Sequence, residues 1–218
     1  MKLLFSSLGK KIQVAITGVL LSIFLLFHLI NNLILFLGPE AFNQMVSFLE
    51  NIKPIIRIME FGLLVIFLLH ISNTILLTIK NKQSNPGQYN SPDKETSTVN
   101  SRNMIISGTI ILLFFIIHLR YIWYTYQSHL FLDDETYYDV LIRNQVGYLG
   151  HTGTAIFYII AIIFISSHLK HGAQSALKTF GFLEKKSSLL YRASILFWGV
   201  IPLLFIFIII SIQLNIIK

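Results

Sequence analysis

Five stretches of this chain are each long and apolar enough to cross a bilayer: residues 14–37, 55–79, 104–126, 152–176 and 190–214. A helix needs about 20 apolar residues to traverse the hydrocarbon layer, and all five meet that length. The fold class that follows is an all-α integral membrane protein with five transmembrane helices. The composition agrees. Of 218 residues, 54% are hydrophobic and 12% charged, and the mean hydropathy is +0.69, which excludes a disordered chain and argues against an ordinary soluble domain. The first span follows Lys10 and Lys11 as a signal peptide would. Its apolar run is too long for one and no small-residue cleavage site follows, so it reads as a helix. No internal repeat and no soluble domain is visible, which leaves residues 1–218 as one transmembrane unit.

Charge alternates along the connections. Lys2, Lys10 and Lys11 precede the first span; Lys80, Lys82, Lys94 and Arg102 lie between the second and third; Lys178, Lys185, Lys186 and Arg192 lie between the fourth and fifth. The connection after the third span carries Asp133, Asp134, Glu135 and Asp139 against Arg143, and the first is mixed, with Glu40, Glu50 and Lys53. Lysine and arginine stay on the cytoplasmic side, so the expected topology has the N-terminus inside and the C-terminus outside. The net charge of +7 thus reflects membrane topology and not a nucleic-acid partner. Residues 81–101, with Pro86, Gly87 and Pro92, read as a flexible surface segment. Between residues 38 and 54, Phe42, Met45, Val46 and Leu49 recur at the spacing of a short interfacial helix.

Four histidines sit inside four of the spans: His28, His70, His118 and His168. Ionisable groups in a membrane are costly and mark function. A helix rises about 1.5 Å per residue, so position gives depth. His28 and His118, on outward-running helices, fall in the outer half; His70 and His168, on inward-running helices, fall in the inner half. The two levels lie six to seven residues apart, on the order of 10 Å. Two pairs at matched depths suggest two metal centres with two axial ligands each, and in a helix bundle that pattern suggests two b-type haems. The chain has no cysteine, so iron–sulfur clusters, thiolate zinc and covalent haem attachment are excluded. Zinc or non-haem iron would need the four histidines at one depth. Scattered histidines that merely bond a neighbouring helix would have no reason to match. A haem-free transporter using them as a proton relay stays open. Gly18, Ser22, Gly62, Gly108, Gly153 and Ser167 on the same helices allow the close approach a flat macrocycle needs, or ordinary helix packing. The fifth span has no histidine and is expected to pack against a four-helix haem-binding bundle.

Other polar residues lie near these levels. His171, three residues after His168, shares its face, with His168 the deeper and the favoured ligand. His171, Asn31, Asn32 and Arg120 are candidates for haem propionates; Arg120 also has the reach to snorkel outward. His129 and His151 fall at helix ends, and Tyr121, Trp123, Tyr124 and Tyr126 read as an aromatic belt.

Motifs spread over nearly the whole chain carry a resemblance. They are Ser7-Leu8-Gly9-Lys10-Lys11 leading to Thr17-Gly18, Phe27-His28-Leu29, the Leu37-Gly38-Pro39-Glu40-Ala41-Phe42-Asn43 turn, Leu69-His70, Ser101-Arg102 with Ser107-Gly108, His118, and His168-Leu169-Lys170-His171-Gly172. The sequence resembles the cytochrome b subunit of succinate dehydrogenase (succinate:quinone oxidoreductase, fumarate reductase), of the single-chain di-haem b558 type. It departs from that family at Asn31-Asn32, where Gly-Asn is frequent. The resemblance implies a multi-pass protein of the bacterial inner (cytoplasmic) membrane, in the respiratory chain and tricarboxylic acid cycle. It would anchor a flavoprotein (FAD) subunit and an iron–sulfur subunit on the cytoplasmic face, with the dicarboxylate chemistry in the flavoprotein. The implied electron path runs from the iron–sulfur subunit to an inner haem on His70 and His168, an outer haem on His28 and His118, and a quinone, by expectation menaquinone. Glu50, Arg57, Glu60 and His151 are the candidates for the quinone's proton exchange. The cytochrome b subunit of a membrane hydrogenase or formate dehydrogenase is the rival within the same class.

Overall fold

The computed structural model describes residues 6–84, 95–132, 134–182 and 189–218. Lys2, Pro86, Gly87, Pro92, Lys94, Asp133, Lys185 and Lys186 lie outside them. The regular structure described is helical: α1 (Ser7–Leu33), α2 (Pro39–Asn51), α3 (Lys53–Ser84), α4 (Glu95–His118, a π turn at Leu119–Trp123, then Tyr124–Gln127), α5 (Tyr137–Ile142), α6 (Thr152–Thr179) and α7 (Leu189–Ile195, a π turn at Leu196–Val200, then Ile201–Gln213). Helices α1, α3, α4, α6 and α7 have the length and apolarity to cross a membrane, as the five apolar stretches lead one to expect. Much of their apolar surface faces outward, as at Ile58, Phe61, Ile116 and Ile163, which suits lipid as the solvent.

The segment expected as a flexible loop over 81–101 is shorter than the sequence suggests. Helix α3 continues to Ser84 and α4 begins at Glu95, so Lys82 and Arg102 lie on helix. Hydropathy locates the part of a helix that lipid requires. A helix satisfies its backbone internally in water as well, and here it runs on past the apolar residues.

Helix α1 packs against both α3 and α6, and α4 packs against α6. The last helix, α7, lies against α6 and α1. Helices α3 and α4 make no comparably close backbone approach among the described residues. Side chains bridge them instead, with the Phe67 and Phe115 rings stacked at 4.3 Å. In this four-helix arrangement the diagonal partners are α1 with α4 and α3 with α6. Side-chain contacts set the directions. Residues early in α1 and α4 meet residues late in α3 and α6, so neighbours run antiparallel.

The well-packed core sits at the end of the bundle opposite the N-terminus, where Leu35, Phe42, Tyr138, Val140, Leu141, Tyr148, Leu149 and Ile201 are buried. Two short helices close that end. Gly38, at φ +93°, turns the chain into a conformation open to glycine, and Pro39 at the first helical position starts α2. Helix α2 buries Phe42 and leaves Phe48 exposed, matching the expected interfacial helix. Helix α5 starts in a capping box: the Asp139 carboxylate accepts from the Thr136 N–H at 2.8 Å and its hydroxyl at 2.7 Å. The two are tied by Asn43, whose Oδ1 accepts from the Tyr138 N–H at 3.0 Å. Tyr126 donates its hydroxyl to the Tyr137 carbonyl at 2.6 Å.

The cap is locked by an ion pair between Glu135 and Arg143, whose side chains are only 15% and 8% exposed. Arg143 also lies over the Tyr148 ring at 4.5 Å. Its hydrogen bond holds the Glu135 carboxyl below the usual carboxylate value of 4.5. A depressed folded-state pKa stabilises above the unfolded value and is lost as pH falls through the folded one. Thermal unfolding in detergent therefore shows a drop in Tm for the native chain below about pH 4. Glu135→Gln is less stable at pH 7 by about 2 kcal/mol and shows a shallower acid drop. Equal acid profiles would assign the drop to other carboxylates.

Helix α7 has a visible reason for its π turn. Pro202 has no N–H to give the Trp198 carbonyl four residues earlier. Ser166 of α6 donates its hydroxyl to that carbonyl instead, and Lys170 lies 4.9 Å from the Trp198 ring centroid. Ser166→Ala leaves a part-buried carbonyl unpaired and costs about 1 kcal/mol, read as a lower Tm.

Candidate functional site

The four intramembrane histidines converge on the bundle axis in two diagonal pairs. His28 on α1 and His118 on α4 face each other with ring centroids 5.8 Å apart, nearly perpendicular at 88°. His70 on α3 and His168 on α6 are 6.4 Å apart at 66°. Among the described residues no three His, Asp or Glu side chains gather as a metal site; the histidines stand in twos.

The pair nearer the N-terminal end is held by hydroxyls. Thr17 Oγ1 lies 3.0 Å from His70 Nδ1, and Ser107 Oγ lies 3.2 Å from His168 Nδ1; both hydroxyl residues are buried. Each is followed by a glycine against the same ring. A Cβ on Gly18 would come within 3.3 Å of His70 Cε1, and one on Gly108 within 3.9 Å of His168 Cε1. Close by, Asn73 Nδ2 donates to Gln13 Oε1 at 2.8 Å, tying α3 to α1.

The far pair is held by aromatic rings. Phe24 stacks on His28 at 5.6 Å and 18°, and Phe114 stacks on His118 at 5.6 Å and 24°. Tyr158 of α6 lies 6.1 Å from His118. Phe205 of α7 lies 5.7 Å from His28, so the fifth span carries no histidine yet walls this level. His118 Nδ1 and the Tyr158 hydroxyl are buried without a hydrogen-bond partner.

These contacts uncover a short pattern shared by α1 and α4. Residues 17–28 and 107–118 share a hydroxyl residue, a glycine, a phenylalanine seven positions after the hydroxyl and a histidine eleven after it: Thr17, Gly18, Phe24 and His28 against Ser107, Gly108, Phe114 and His118. Seven and eleven residues are close to two and three helical turns, so the hydroxyl residue, the phenylalanine and the histidine lie on one face, with the glycine about 100° round from them. A twelve-residue match with eight free positions is invisible until the contacts show which positions matter.

The pairs fit a metal with two axial imidazoles. Imidazole nitrogens bind metals at about 2 Å, which puts two rings that share one metal roughly 6 Å apart between centroids. Both pairs meet that separation. The wider α3–α4 side and the glycines against the rings suit a flat group between the helices.

The other candidates scatter. Arg120, exposed in the π turn after His118, lies over the Tyr121 and Tyr124 rings at 5.6 and 5.1 Å. Asn32 Nδ2 donates to the His28 carbonyl at 2.8 Å, while Asn31 and His171 lie one turn beyond His28 and His168. Of the four proton-exchange candidates, two come together. Glu60 accepts from Arg57 at 2.8 Å and from Trp123 Nε1 at 2.9 Å, and Arg57 also donates to Gln127 and sits 5.7 Å from the Trp123 ring. Glu50 pairs with Lys53 at 2.8 Å. His151 caps α6, its Nδ1 accepting from the Thr154 N–H at 3.3 Å. Sequence reasoning missed Thr17, Ser107 and Gln127 as partners and placed Trp123 only in a belt. A hydroxyl inside a span is too common a packing residue to stand out.

Residues 12–92 match the family model described as succinate dehydrogenase/fumarate reductase transmembrane subunit. The matched part takes in nearly all of α1, α2 and α3, with His28, His70, Glu60 and Thr17. This favours the succinate family over the hydrogenase and formate dehydrogenase reading. No curated protein and no solved structure gives a significant match.

Proposed function

We propose that this chain is a membrane subunit of the succinate dehydrogenase/fumarate reductase type, which the match over residues 12–92 supports, and that it holds two b haems and conducts electrons between soluble partner subunits and membrane quinone. The observation that supports this most is the pair of diagonal histidine contacts, at 5.8 and 6.4 Å, each joining helices that face each other across the bundle. Haem b supplies, when bound, a one-electron carrier whose potential the protein tunes through its axial ligands and their hydrogen bonds. His70 and His168 hold one group and His28 and His118 the other. Phe24, Phe114, Tyr158 and Phe205 exclude water from the second. His171, Arg120 and Asn31 remain the residues to meet propionates.

The partners, a flavoprotein and an iron–sulfur subunit, dock at the end bearing the N-terminus, which faces the cytoplasm of a bacterial inner membrane. Lys10, Lys11, Lys80, Lys178 and Arg192 gather there. The quinone, menaquinone by this reading, meets the opposite end at Glu60, which Arg57 and Trp123 orient for proton exchange. The experiment is a pyridine haemochrome assay with a reduced-minus-oxidised spectrum on the complex purified with its partners. Two b haems per chain is the expected result; none would overturn the reading and turn attention to a proton-coupled transporter.

A further inference from the structure

We infer that Thr17 and Ser107 are positioning residues for the His70–His168 pair, each hydroxyl setting its imidazole as the Nδ1–H tautomer so that both Nε2 atoms are left to a metal. The inference rests on the two-haem reading and deepens it. Neither residue touches the metal on this account; each acts through the ring it holds.

The direction of each hydrogen bond follows from where the hydroxyl proton goes. Thr17 Oγ1 donates within its own helix, to the Gln13 carbonyl at 2.7 Å with Val14 at 3.2 Å. Its lone pair is what remains for His70 Nδ1 at 3.0 Å. Ser107 Oγ donates to the Met104 carbonyl at 3.1 Å, and its lone pair faces His168 Nδ1 at 3.2 Å. A neutral imidazole has one N–H and one lone pair. If Nδ1 donates, Nε2 carries the lone pair. The glycines beside the hydroxyls let the rings come this close, since a Cβ on Gly18 would press on His70 Cε1 at 3.3 Å.

The far pair has a different environment. His118 Nδ1 is buried with no hydrogen-bond partner, and Phe114 lies on its ring. So the same twelve-residue pattern on α1 and α4 supplies a hydroxyl to one level and a stacked histidine to the other, and His118 differs from His70 and His168 in having no partner at Nδ1. A hydrogen bond from the free ring nitrogen fixes ring orientation and raises ligand basicity. A more basic ligand favours ferric over ferrous iron. The two hydroxyls therefore hold the potential at the His70–His168 level below the value it would otherwise have.

The test is a redox titration of the two b haems in the complex purified with its partners, at one pH, with the low-spin ferric EPR spectrum alongside. Thr17→Val and Ser107→Ala remove the hydroxyl acceptors, the Val14 backbone contact of His70 remaining in the first; Thr17→Ser restores one. The expected result is that one haem's midpoint rises and its EPR signal shifts while the other haem keeps both. A tenfold change in the ferric-to-ferrous affinity ratio, about 59 mV for one electron, is the size expected for the double variant. Thr17→Ser lies close to the native chain. Loss of that one haem in Thr17→Val, restored in Thr17→Ser, supports the inference equally. Should Thr17→Val not accumulate, Ser107→Ala makes the same test alone. Unmoved midpoints, or both haems moving together, overturn the inference and leave the hydroxyls as helix packing. A native chain that binds no haem fails the two-haem reading itself, and the two failures are told apart by the haem content before any variant is made.

Discussion

On the proposed two-haem reading, His70→Ala is expected to leave the purified complex with one b haem per chain in place of two, and His168→Ala to remove the same one. His28→Ala and His118→Ala remove the other. The expectation comes from the diagonal geometry. Each pair draws on two helices that meet across the bundle axis, at 6.4 Å for His70 and His168 and 5.8 Å for His28 and His118, so neither level can borrow a ligand from the other. Loss of one imidazole would leave a single ring to hold the group, and among the described residues the far pair is ringed by Phe24, Phe114, Phe205 and Tyr158, of which the three phenylalanines carry no ligating atom. Two of the four variants should share one spectrum and two the other. Four variants with full haem content would show that the histidines only pack helices.

Glu60→Gln is expected to lower succinate:quinone activity about 10²–10³-fold, with haem content and succinate oxidation by a soluble dye unchanged. Reducing a quinone consumes protons as well as electrons, and an isosteric amide cannot carry one. Glu60 is the carboxylate at the far end that lies among groups from two spanning helices. Arg57 and Trp123 both donate to it, at 2.8 and 2.9 Å, and Gln127 accepts from Arg57 in turn. Glu50 and His151 serve local purposes, one in an ion pair with Lys53 and the other capping α6. A quinone rate indifferent to Glu60→Gln would move the quinone elsewhere and leave the cluster as a clamp across the α3–α4 side. Separating quinone from dye activity distinguishes a lost proton path from a complex that has lost its partners.

The π turn at Leu119–Trp123 shows why this cluster escaped a linear reading. It follows His118 directly, and a π turn adds a residue to one turn of helix. The phase of every later side chain shifts by about 100°, so an unbroken α-helical count, which puts Trp123 and Gln127 opposite the face of Ser107, Phe114 and His118, does not hold for them. A periodicity count carried through the span misassigns those two. The same holds for α7, where Pro202 and the π turn expose the Trp198 carbonyl that Ser166 fills.

The sequence by itself determined the five crossings and the division of the histidines into two levels, because lipid demands about 20 apolar residues per helix and a constant rise converts position into depth. Both are one-dimensional quantities. Only the tertiary structure decided which helices lie on the diagonals, which hydroxyl meets which imidazole, and that Glu60 sits with Arg57 and Trp123. Those depend on azimuth and on the order of helices around the bundle. In lipid no hydrophobic contrast between one helix face and another fixes that order; close packing, with hydrogen bonds such as Thr17 to His70 and Ser107 to His168, does.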